Sequence, residues 1–146
     1  MADLEAFLTQ AEEQEIIEAI RLAEKNTSGE IRVHLEHSHK TTPLERRALE
    51  VFHLLKMDNT ALKNGVLIYV AVDDRDFIIY GDKGIHAKVG QGFWDSTRDT
   101  IQDHFKKGKF KQGLVAGVLE AGKALSIYFP WQQGDINELP DEISKG

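Results

Sequence analysis

The hydrophobic pattern of the chain switches between two periods. Ile16, Ile20 and Ala23 recur at helical spacing, and Thr9 with Glu12 ahead of them has the spacing of a capping box, which predicts a helix over about 10–25. Turn chemistry follows at Asn26, Thr27, Ser28 and Gly29. From Glu30 to Glu36 the period drops to two. Ile31, Val33 and Leu35 face one way and Glu30, Arg32, His34 and Glu36 the other, as a strand requires. Thr42, Pro43 and Glu45 then read as a second capping box with proline at the first helical position. Leu44, Ala48, Val51 and Leu55, widened by Phe52, form the stripe of a helix that fades near Met57, and 58–64 is a polar loop.

The stretch 65–72 is apolar almost throughout, which predicts a strand covered on both faces. Asp73, Asp74, Arg75 and Asp76 make a tight connection to an antiparallel strand at Phe77, Ile78, Ile79 and Tyr80. Gly81, Asp82, Lys83 and Gly84 end that strand as a turn, with a short helical piece over 85–89. Trp94, Thr97, Ile101 and Phe105 lie at helical spacing up to Gly108. Leu114, Val118, Ala121, Leu125 and Tyr128 mark a last helix over 110–129, which Pro130 ends.

The order is helix, strand, helix, strand, strand, helix, helix. A right-handed crossover makes the first two strands parallel. The fold class expected is α/β, a three-layer α/β/α sandwich around a small mixed β-sheet, with room for a fourth edge strand hidden in a loop. Residues 1–131 read as a single domain. Residues 132–146, acidic and poor in apolar groups, read as a loosely held, flexible tail.

Charge and composition narrow the function. The chain has 146 residues, 18 Lys and Arg against 24 Asp and Glu, and a net charge of −6. That balance argues against a general nucleic-acid binder. The absence of cysteine excludes disulfides, thiolate catalysis, cysteine zinc sites and iron–sulfur clusters. The start, Met1-Ala2-Asp3-Leu4-Glu5, is acidic where a secretion signal needs a basic start. The longest apolar run, 66–72, is about a third of the roughly 20 residues that span a bilayer. A soluble cytoplasmic protein with no membrane anchor is the expectation. There is no phosphate-binding loop, no dinucleotide fingerprint at Gly90-Gln91-Gly92, no nucleophile-elbow serine and no zinc-protease helix.

Three groups of side chains carry chemistry. His34, Glu36, His37 and His39 have metal-binding atoms, although His37 and His39 fall in a polar loop. Lys106, Lys107, Lys109 and Lys111 form a basic cluster where cations complement the end of a helix. The carboxylates are more pointed. Asp58 lies in the loop entering the central strand, Asp82 in the turn leaving the next, and Glu30 opens the first, so the topology places all three at one end of the sheet. Hard oxygen donors beside loop carbonyls suit Ca²⁺ or Mg²⁺. Asp95 and Asp103 on the following helix can join them. The same residues also suit plain structural roles, Asp82 shaping its turn and Asp58 capping a fraying helix. Asp73, Asp74 and Asp76, with Arg75 among them, make a second acidic group at the opposite end, adequate as a hairpin turn and a weaker cation candidate.

The stretch Asn64-Gly65-Val66-Leu67-Ile68-Tyr69-Val70-Ala71, then Asp74-Arg75, then Gly81-Asp82-Lys83-Gly84-Ile85, resembles the TPM domain family. Phe105-Lys106-Lys107-Gly108 and Gln112-Gly113-Leu114 resemble that family's closing segment, so the similarity runs over about 12–130. The resemblance implies an α/β/α fold, a groove rich in carboxylates, and divalent-cation binding in some members. It also implies the possibility of weak acid phosphatase activity, attributed to a plant relative. Many members carry a leader and a membrane anchor; this chain reads as the domain standing alone. Lys63 stands where many relatives have an acid, and Asp82 and Asp95 are the positions that match.

The expectation is therefore a metal-responsive binding or regulatory module holding Ca²⁺ or Mg²⁺ through Asp82, Asp58, Glu30, Asp95 and Asp103. A protein partner would read the ordered loops. The alternative is metal-assisted phosphate-ester hydrolysis, for which no residue stands out as nucleophile or general base. A ligand-free interaction domain is a third option.

Overall fold

The computed structural model describes residues 7–90, 92–131 and 139–146. Helix α1 spans Gln10–Glu24, strand β1 Glu30–Glu36, helix α2 Leu44–Leu54, strand β2 Gly65–Ala71 and strand β3 Asp76–Gly81. A short helix α3 follows at Lys83–His86, then α4 at Asp95–Lys106, α5 at Phe110–Tyr128 and strand β4 at Ser144–Lys145. Residues 1–6, Gln91 and 132–138 lie outside the described residues, and with them the acidic start and part of the expected tail.

The strands form one mixed sheet in the order β3-β2-β1-β4. β1 and β2 run parallel, with Glu30 opposite Gly65 and Glu36 opposite Ala71. β3 returns antiparallel, with Gly81 opposite Val66. Alternation along β1 and β2 sends two apolar sets to opposite faces. Ile31, Val33, Leu35, Val66, Ile68 and Val70 pack under α1, α4 and α5. Leu67, Tyr69 and Ala71 pack under α2, with Met57 and Leu139. β2 is buried along its whole length because both layers cover it. The three-layer α/β/α sandwich is the fold.

Local chemistry sets the element ends. Thr9 and Glu12 form the capping box at the start of α1, each side chain accepting from the other's backbone N–H. Gly108, at φ 73, gives the left-handed turn between α4 and α5. The second capping box does not form. Pro43 occupies the N-cap of α2 without a side-chain cap. Thr42 is held instead in a turn, its N–H donating to His39 O at 3.1 Å and its carbonyl accepting from His39 Nδ1.

The polar face of β1 differs from a solvated one. α2 and the chain end cover it, leaving His34 only 5% and Glu36 6% exposed. The described part of the tail, 139–146, is held against the sheet where a loose segment is expected. Leu139 is buried, and β4 pairs parallel with β1, Ser144 opposite His34 and Lys145 opposite Leu35. Among the described residues no helix is long and apolar enough to cross a membrane.

Candidate functional site

Two groups of carboxylates sit at opposite ends of the sheet, as the topology requires. At the end where β1 and β2 begin, Glu30 pairs with Gly65, and Asp82 donates its N–H to Gly65 O at 3.0 Å. Glu30, Gly65 and Asp82 are therefore lateral neighbours across three strands. Register gives them the same face, the one toward α2. Gly65 carries no side chain, so the two acids flank a gap. A Cβ added at Gly65 would stand 3.1 Å from Met57 O and 3.7 Å from Leu139 Cδ1, which places those two atoms over the gap.

Both acids are buried. Asp82 is 5% exposed and caps α3, its Oδ1 accepting from Lys83 N at 2.7 Å. Its Oδ2 is buried with no hydrogen-bond partner among the described residues. Glu30 is 3% exposed, and its Oε1 accepts the Leu139 N–H at 2.7 Å. Burying a carboxylate oxygen without a donor is costly, so such an atom asks for an explanation beyond the cap. The adjoining loop is closed by backbone contacts. Gly84 N donates to Lys63 O at 2.7 Å, and Gly84 has no room for a side chain, since a Cβ there would lie 2.1 Å from Leu62 O.

The other predicted ligands lie apart from this pair. Asp58 sits in the loop after α2, about half exposed, with Oδ2 3.3 Å from His53 Nδ1. Its backbone carbonyl accepts from Lys63 Nζ, which puts a positive charge where an acid would have helped a cation. Asp95 opens α4, on the layer across the sheet from α2; its side chain is 62% exposed and pairs with Arg98 at 3.4 Å. Asp103 lies on the same helix, exposed. Among the described residues no three histidine, aspartate or glutamate side chains converge closely enough to hold a metal ion. Glu30 and Asp82 thus share a face, and Asp58, Asp95 and Asp103 do not join them in one cluster.

The opposite end is chemically closed. Arg47 from α2 grips Glu36 with two bonds, Nη2 to Oε1 at 2.7 Å and Nε to Oε2 at 2.9 Å. Tyr69 donates its hydroxyl to Glu36 Oε2 at 2.5 Å, and His34 Nε2 lies 3.2 Å from Oε1. Burial pushes the Glu36 carboxyl up, but Arg47, Tyr69 and His34 outweigh it and hold it at about 2. Burial, followed by donation to Glu36, raises the Tyr69 hydroxyl. Burial lowers the His34 pKa, and its two ring nitrogens lie 3.2 Å from Glu36 Oε1 and 3.0 Å from Ser144 Oγ.

The loop histidines are not simply solvated. His39 donates Nδ1 to Thr42 O at 2.6 Å and Nε2 to Asp76 at 2.9 Å, and these acceptors raise its pKa. Ser38 Oγ and the His39 N–H both donate to Asp74, and His37 lies 3.5 Å from Asp73. The second acidic group is therefore met by donors from the β1–α2 loop. Lys106 and Lys107 end α4, where cations complement its dipole, whereas Lys109 is the N-cap of α5 and Lys111 in its first turn pairs with Glu15 at 3.3 Å.

Sequence reasoning missed Arg47, Tyr69 and Leu139. One signal was present: a tyrosine inside a strand buried on both faces needs an acceptor for its hydroxyl.

The comparisons agree with this architecture. The TPM domain family model matches residues 1–124, and the chain belongs to that family. The NMR structure of BA42 protein from the psychrophilic bacterium Bizionia argentinensis is 62% identical, covers 100% of both chains and superposes with a TM-score of 0.92. The N-terminal domain of a P. gingivalis protein shares the fold at 24% identity and a TM-score of 0.71, over 87% of this chain and 82% of that one. So does the N-terminal domain of a Corynebacterium glutamicum protein, at 12% identity and a TM-score of 0.66, over 92% and 82%. No curated protein matches.

Proposed function

We propose that this TPM domain is a divalent-cation-responsive binding module, taking Ca²⁺ or Mg²⁺ at the end of the sheet where β1 and β2 begin. The observation that carries the reading is the buried Asp82 Oδ2, which has no partner among the described residues and shares a sheet face with the buried Glu30. A hard cation takes carboxylate and backbone carbonyl oxygens together with water, so two carboxylates beside Met57 O make a chemically suitable donor set. Asp58 joins only by rearrangement of its loop; Asp95 and Asp103 fall outside the proposed ligands. Cation binding would order the 58–64 loop against α3 and present that rim to a protein partner.

The test is titration of the full chain with CaCl₂ and with MgCl₂, read by calorimetry and by amide chemical shifts. Saturable uptake at millimolar cation is expected, with shifts centred on Glu30, Gly65 and Asp82. Asp82→Asn keeps the helix cap and should weaken uptake by about tenfold or more. Titrations without heat or localised shifts reject the module reading.

A further inference from the structure

Residues 139–146 cross the β1 edge as a strap, and its first residue lies in the candidate site. The Leu139 N–H donates to Glu30, and the Leu139 side chain stands over Gly65, in the gap between Glu30 and Asp82. The remaining attachments are small and mostly polar. Asp141 faces Arg21 Nε at 3.6 Å and hydrogen-bonds Glu24; burial, then that bond, pushes the Glu24 carboxyl up to about 9. Ser144 Oγ meets His34, Lys145 Nζ meets Glu13 at 3.0 Å, and Gly146 N donates to Leu35 O at 2.9 Å. Only two residues form a β-ladder. Two apolar side chains anchor the segment, the buried Leu139 and the half-buried Ile143 against the main core, and the rest is polar; so few apolar contacts let it open locally at lower cost than the core.

We propose that docking of the 139–146 strap and cation binding at Glu30 and Asp82 exclude each other, so that a divalent cation releases the strap and uncovers the edge of β1. The inference rests on the cation reading above and adds its regulation. An oxygen-ligated cation cannot share the gap with the methyl groups of Leu139. Reaching both acids therefore requires Leu139 to leave, and its N–H then loses Glu30 as acceptor. Coupling of this kind is reciprocal: a docked strap weakens cation binding by the factor by which a bound cation weakens docking. Release frees the backbone groups of β1 that β4 now pairs with, an edge that an extended segment of another protein can join.

The experiment measures amide hydrogen exchange at Leu139 and Gly146 in the full chain, with and without CaCl₂, alongside calorimetry. Exchange at both amides should accelerate by about tenfold or more at saturating Ca²⁺. Two variants loosen the strap from opposite ends, Leu139→Ala and Ser144→Ala; the second removes one surface-side hydroxyl and leaves the core intact. Each should bind Ca²⁺ several-fold more tightly than the parent chain. Binding by these variants where the parent binds only weakly also supports exclusion. Cation uptake with unchanged or slowed exchange at Leu139 and Gly146 overturns the exclusion while the cation reading stands. No uptake by the parent or by either variant overturns both.

Discussion

Glu30 and Glu36 begin and end the same strand, point to the same face, and are 3% and 6% exposed, yet they meet different surroundings. Glu36 is gripped by Arg47, Tyr69 and His34, so the protein supplies both countercharge and donors. Glu30 is met by a backbone N–H from Leu139, and its lateral neighbour Asp82 keeps one buried oxygen without a partner among the described residues. The lesson is that carboxylate density alone does not make a site. The acids at the Glu36 end are neutralised from within and serve the fold. At the Glu30 end the buried Asp82 Oδ2 has no partner among the described residues, and the proposed cation reading rests on that oxygen.

The largest expected effect breaks the closed end. Arg47→Ala strands the buried Glu36 charge, and urea denaturation at neutral pH should show a loss of about 3 kcal/mol. Acid sharpens the same contrast. Glu36 sits at about 2 in the fold against an ordinary 4.5, so its contribution is fully present above about 4.5 and is lost as pH falls from there toward 2. Stability of the parent chain should drop across that window, and the drop should be shallower in Arg47→Ala, where the carboxyl is no longer held down. The smallest effect belongs to the open end. Without cation, Asp82→Asn should change stability by no more than about 0.5 kcal/mol, because Asn preserves the cap and no cationic partner among the described residues is lost. A loss there comparable to that of Arg47→Ala would erase the distinction between the two ends.

Much of the sandwich was legible in the chain. Period-two and period-3.6 patterns located β1, β2, β3 and the long helices, and the unbroken apolar run of β2 required cover on both faces. The placement of Glu30 and Asp82 at one end followed from strand direction. The failures have physical causes. Thr42 carries the residue type of a cap, but His39 takes its carbonyl in a turn, so the helix starts from Pro43. The pairing of Glu36 on the polar face of β1 was not legible, because nothing local announces that Arg47 reaches it from α2, eleven residues on. The strap was illegible because a two-residue strand is too short for a periodic signal.

The sequence by itself determined which residues lie in β1, β2, β3 and the long helices, and which sheet end the loops between them occupy. These follow from periodicity and chain direction, which are local properties. The tertiary structure alone decided which acids were satisfied. Arg47, Tyr69 and Leu139 come from separate elements, and burial with hydrogen bonding between such elements sets the charge and freedom of a carboxylate.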